Sequence, residues 1–242
     1  NKLSDDPFLD INVANKRERG LLEITTAKDK DDKIYVYIYF TESEKSDGND
    51  VCPSKRFSYE YHCNPENEPI GNRLYKYELK NNKLINPKLL LDLPTFPAPS
   101  HNGGVVTIGP DNNLYLVIGD LLGGTRNDTS TKAQNLDESS PDGRSGILRI
   151  TQDGKPVGNG IIGKSIPLQL YYAYGIRNSF EIDFEPVTGN LWDTENGPEY
   201  GDEINLVLPG FNSGWEQIQG IWEPKRNKSS DTSGLILGNE LS

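Results

Sequence analysis

Val105-Val-Thr-Ile-Gly-Pro-Asp-Asn-Asn-Leu-Tyr-Leu-Val-Ile118 is the stretch on which the fold turns. Two apolar runs, Val105–Ile108 and Leu114–Ile118, flank a turn made of Gly109, Pro110, Asp111, Asn112 and Asn113. These residues tolerate positive φ, pre-set a proline φ, or bond their own backbone, so the segment predicts a β-hairpin. The same grammar recurs on both sides. Upstream, Leu21–Ile24 and Ile34–Phe40 bracket a Lys/Asp turn. Downstream, Phe180–Phe184 and Leu191–Asp193 bracket Glu185-Pro-Val-Thr-Gly-Asn190. Each hairpin is followed by one more strand-like run: Arg73–Leu79, Gly146–Ile150 and Glu203–Leu208. Polar reversals follow the first two, at Lys80–Lys83 and Gln152–Lys155. No segment sustains a helical period. The chain is predicted to be all-β, a repeat of four-stranded antiparallel sheets of roughly 75 residues each. Three such units are too few to close a ring, for which about four to eight blades are usual.

Composition agrees with many short strands joined by turns. Of 242 residues, 24 are Gly and 16 are Pro, and the hydrophobic fraction is only 34%. The net charge of −11 argues against a nucleic-acid partner, which needs a basic footprint, and against an anionic membrane surface. No apolar run approaches the roughly 20 residues of a membrane-spanning helix. The chain contains no methionine, so a removed upstream segment is expected. Cys52 and Cys63 bracket a short loop, and a local disulfide there would suit an oxidising compartment. The sequons Asn127-Asp-Thr129 and Asn227-Lys-Ser229 add little, because such triplets are frequent by chance.

Six motifs in order suggest a site: Glu18-Arg-Gly-Leu-Leu22, Ser100-His-Asn-Gly-Gly104, Gly175-Ile-Arg-Asn178, Glu195-Asn-Gly-Pro198, Gly201-Asp-Glu-Ile-Asn205 and Asn212-Ser-Gly-Trp215. On these the sequence resembles the glucose/sorbosone dehydrogenase family, soluble aldose sugar dehydrogenases that use pyrroloquinoline quinone on a six-bladed β-propeller. The resemblance implies that residues 1–242 form one partial propeller domain of about three blades, the central part of the family pattern. Further blades would then come from elsewhere in the polypeptide or from a second polypeptide completing the ring. It also implies a location outside the cytoplasm: extracellular, periplasmic or at the cell surface.

By the same resemblance His101 is the general base that takes the sugar hydroxyl proton while hydride passes to the quinone. An imidazole, with an ordinary pKa near 6.5, suits that task. His62, in the Cys loop, reads as solvent-exposed. Arg177 and Asn178 are implied to clamp the cofactor, Arg177 also lying near the reacting carbonyl, since a guanidinium matches the carboxylates of the quinone. Glu18 stands at a cofactor-contact position where the family often has Gln. The backbone carbonyls of Gly197 and Pro198 are implied ligands of the calcium ion that holds the quinone. Glu203 and the carbonyl of Ser213 are implied ligands of a second, structural calcium, a metal that readily accepts backbone oxygen. Ser100 and Ser213 depart from the family pattern, and its late-blade basic residues are absent from this chain. Two readings stay open: a quinoprotein dehydrogenase of sugars with an electron acceptor the sequence does not identify, and a non-catalytic, calcium-stabilised propeller binding module.

Overall fold

The computed structural model describes residues 6–46, 69–95, 98–121, 141–197, 201–215 and 220. The cysteine pair, His62, both sequons and Pro198 lie outside them. The described residues are almost entirely strand and turn, in three sheets. The first contains β1 (Leu21–Lys28), β2 (Ile34–Glu42), β3 (Gly71–Lys80) and β4 (Lys83–Leu93), antiparallel throughout and in chain order. The second contains β5 (Val106–Ile108), β6 (Leu114–Ile118), β7 (Gly146–Ile150) and β8 (Tyr171–Tyr174). The third contains β9 (Ser179–Phe184), β10 (Leu191–Glu195) and β11 (Glu203–Val207). The three predicted hairpins therefore occupy three successive sheets, and all-β architecture is confirmed.

The sheets stack face to face, and the residue pattern says why. On β6 all five side chains are buried. Leu114, Leu116 and Ile118 meet Tyr37, Tyr39, Leu74, Leu91 and Leu93 of the first sheet. Tyr115 and Val117 point the other way, joining Ile182, Leu191 and Val207 of the third. A central strand covered on both faces reads as continuous apolar sequence, because alternation is needed only when one face is wet. β2 is likewise two-sided: Tyr37 and Tyr39 face the second sheet, while Val36, Ile38 and Phe40 lie under Leu9, Ile11 and Val13. Each such fully buried side chain contributes about 1.5–3 kcal/mol.

The first sheet has the four strands expected, and three local details stand out. β4 carries Pro87, with Asn86 at φ +55° and register shifts against β3. It is an edge strand, where a missing N–H is tolerated, so the proline does not prevent the fourth strand. The run Leu168–Gly175 begins as a single 3-10 turn, Leu168–Leu170, and only Tyr171–Tyr174 is strand. The third sheet shows three strands among the described residues. After β11 the chain turns at Pro209-Gly210 (φ +88°), and β12 (Phe211–Asn212) pairs parallel with β8 of the second sheet.

This crossing positions the site. In every hairpin the entry to the first strand and the exit from the second lie at the same end of the sheet. The segments ending at Gly20, Gly104 and Asn178, and those starting at Gly119 and Asn196, are therefore gathered together. β12 brings Ser213 and Trp215 to the same end, through Ser213 N–H to Tyr174 O (3.1 Å) and Trp215 N–H to Gly175 O (2.9 Å).

Candidate active site

His101 sits just before β5, almost fully buried, at φ +58°. A non-glycine residue in the left-handed region is uncommon and needs support. The Glu18 carboxylate supplies it, accepting the His101 backbone N–H at 2.6 Å. Glu18 therefore meets the base loop directly. The ring is fixed from the other side: His101 Nδ1 lies 2.6 Å from Asp120 Oδ1. Asp120, just past β6 and 1% exposed, also accepts the Trp215 Nε1–H at 2.7 Å on its other oxygen. A carboxylate that accepts on both oxygens makes Nδ1 the protonated ring nitrogen, leaving Nε2 with its lone pair.

Glycine lets these loops approach. A Cβ at Gly119 would lie 2.6 Å from both the His101 and Arg177 carbonyl oxygens, and one at Gly103 would lie 2.4 Å from the Val117 carbonyl oxygen. Asn178 Oδ1 accepts the Gly103 N–H at 3.1 Å, and Asp120 N–H donates to Arg177 O at 2.8 Å. Behind them a polar chain runs from Thr41 through Asn72 to Asn102, at 2.7 and 3.0 Å. The structure thus brings Glu18, His101, Arg177 and Asn178 together. It adds Asp120 and Trp215, which the sequence reading did not assign.

Arg177 is 8% exposed, its guanidinium 5.3 Å from the Trp215 ring, within cation–π range. One terminal nitrogen donates to the Asn196 carbonyl oxygen at 3.0 Å, while Nε has no partner. Among the described residues it forms no ion pair. Burial pulls its pKa below the ordinary value, opposed by the fields of Asp120, Glu195, Glu18 and Asp202. A buried cation with an unspent donor suits an anionic group such as a carboxylate.

Below Arg177 lies an acidic layer on β10 and β11. Glu195 accepts the Arg177 backbone N–H at 2.5 Å and the Ser213 hydroxyl. Burial, then the neighbouring Asp193, pushes the Glu195 carboxyl up to about 8. Asp193 is fully buried, and burial, opposed by the Ser179 hydroxyl and the Asn205 amide, pushes its carboxyl up to about 6. Glu203 pairs across the strands with Glu195 and accepts from Asn205 Nδ2 (3.2 Å), Ser213 Oγ (3.4 Å) and the Gly220 N–H. Gly197 N–H donates to Asp202 at 2.8 Å. These clustered carboxyl oxygens, which a bound cation would help to ionise, suit a divalent ion. Among the described residues no three His, Cys, Asp or Glu side chains converge as a cage, so such an ion would draw on backbone carbonyls besides Glu203. A separate polar cleft of about 490 Å³, lined by Asp29, Tyr35, Lys76 and Asp153 among others, lies at the turn end of the first two sheets, away from His101.

The stacked sheets of this partial propeller thus bring an aspartate-oriented histidine and a buried arginine to one end. Residues 5–233 match the Glucose / Sorbosone dehydrogenase family, and the chain belongs to that family. It is 30% identical over 182 residues to quinoprotein glucose dehydrogenase B of Acinetobacter calcoaceticus, covering 69% of this chain and 34% of that protein. It is 31% identical over 124 residues to the aldose sugar dehydrogenase YliI of Escherichia coli (strain K12), covering 51% of this chain and 31% of that protein. The PQQ-bound aldose sugar dehydrogenase of Streptomyces coelicolor superposes with a TM-score of 0.61 at 25% identity, covering 93% of this chain and 54% of that one. The chain spans about a third of the length of these two sequence relatives.

Proposed function

We propose that this chain is the central part of a pyrroloquinoline-quinone- and calcium-dependent aldose dehydrogenase propeller, its ring completed by further blades. The observation that carries the reading is the Asp120–His101 pair beside Arg177, at the one end where all three hairpins open. Asp120 holds the imidazole so that Nε2 is free to take the proton of the sugar hydroxyl, and the resulting imidazolium keeps its carboxylate partner. Arg177 offers its spare donor to a cofactor carboxylate, and Asn178 holds the glycine loop beside the base. Glu18 holds the His101 backbone in place. The Gly197 and Pro198 carbonyls would hold the cofactor's calcium, with Glu203 and the Ser213 carbonyl serving a structural one. Pyrroloquinoline quinone, when bound, supplies the two-electron acceptor for the sugar carbon. No helix among the described residues is long and apolar enough to cross a membrane, and the reading places the protein outside the cytoplasm.

The test is reconstitution of the complete polypeptide with pyrroloquinoline quinone and calcium, followed by aldose oxidation with a dye acceptor. His101→Ala should lower turnover by roughly 10²–10⁴-fold with cofactor affinity nearly intact. The second reading, a non-catalytic calcium-stabilised binding module, draws on the carboxylate at Glu18, which would repel an acidic cofactor. A complete protein that folds with calcium and binds no quinone would favour it.

A further inference from the structure

Trp215 contacts both halves of the candidate site. Its indole N–H donates to Asp120 Oδ2 at 2.7 Å, on the carboxylate whose other oxygen holds His101 at 2.6 Å. Its ring lies 5.3 Å from the Arg177 guanidinium. Its backbone N–H is tied to Gly175 O at 2.9 Å, two residues before Arg177. A buried carboxylate held at one oxygen can still rotate about its own bonds. A donor on the second oxygen removes that freedom and sets the plane in which the imidazole lies.

We propose that Trp215 is a positioning residue for the dehydrogenase reaction: its N–H fixes Asp120 and through it the His101 ring, while its face backs the Arg177 side chain. The inference rests on the proposed reading of His101 as base. It divides into two separable contributions, because the donor and the ring face are different parts of one side chain. Trp215→Phe removes the donor and keeps an aromatic face. Trp215→Leu removes both.

The first experiment needs no cofactor. In the complete polypeptide the His101 ring is identified by ¹⁵N-resolved NMR as the signal that disappears in His101→Gln. The parent should show a downfield, slowly exchanging Nδ1–H proton, and in Trp215→Phe that proton should exchange at least about tenfold faster, as expected for a lost hydrogen bond to a charged group. In the reconstituted enzyme Trp215→Phe should lower kcat by about 10–100-fold with KM and quinone affinity within about twofold of the parent. Trp215→Leu should in addition weaken quinone binding through Arg177. An unchanged Nδ1–H signal in Trp215→Phe would overturn the proposal. So would a folded Trp215→Phe enzyme whose KM and quinone affinity suffer as much as kcat, the pattern of a merely structural residue. If the NMR signal changes as expected while His101→Ala retains full activity, the positioning of the ring stands and the base assignment fails.

Discussion

Asp193 offers the most direct test of the acidic layer beneath Arg177. Its carboxyl titrates at about 6 against an ordinary 3.8, chiefly through burial. At about 1.4 kcal/mol per pH unit the difference is worth about 3 kcal/mol. The sign follows from proton binding. The folded state holds the Asp193 proton more tightly than the unfolded chain, so its contribution is fully present below the ordinary value and is lost as pH rises through about 6. Between about pH 4.5 and pH 7 some 2 kcal/mol disappears. Asp193→Asn carries no such charge. In calcium-free urea unfolding, the variant should therefore gain about 2 kcal/mol on the parent between those two pH values. Any fixed cost of burying an amide cancels in that difference, and Glu195, which the Asp193 charge helps to raise, is raised less in the variant, which adds to the gain. Parallel stability–pH curves for the two proteins would refute the argument, since they would mean that Asp193 is solvated or already compensated.

Replacing Arg177 by Gln should weaken quinone binding by about 10–100-fold, the loss of a charged hydrogen bond, read by titrating the apo-protein with cofactor. Calcium should raise the melting temperature and a chelator lower it, with stabilisation near 2.7 kcal/mol at about a hundredfold excess over Kd; Glu203→Gln should remove most of that response in a thermal titration. Cys52 and Cys63 should form a bridge worth about 2–3 kcal/mol, so that thiol titration of the unreduced, denatured protein finds no free sulfhydryl.

The architecture was legible where burial imposes a local pattern. Leu114–Ile118 and Ile34–Phe40 are continuous because each strand is covered on two faces, and their turns are written in Gly, Pro, Asn and Asp. It was illegible where tertiary context overrides local preference. The bounds of β4 are hidden by Pro87, which an edge strand accommodates beside a register shift. The parallel seat of β12 on β8 depends on a neighbour nearly forty residues away in sequence, and no local pattern encodes it.

The site divides along the same line. His101, Arg177 and Asn178 stand in motifs that read as chemistry on their own. Asp120 follows an apolar strand as one acid among 36 Asp and Glu residues, and it acquires a role only when β5 pairs with β6 and places the two loops side by side. That pairing is antiparallel, so the residues before β5 and after β6 must share an end, and the same holds for β9 and β10. An acid at or just past the end of the second strand of such a hairpin is thus positioned to meet the segment that leads into the first: Asp120 meets His101, and Glu195 meets the backbone of Arg177. The repeated hairpin that sets the fold also sets the geometry by which acids orient the basic groups of the site. The stacking of the sheets then brings two such pairs to one place.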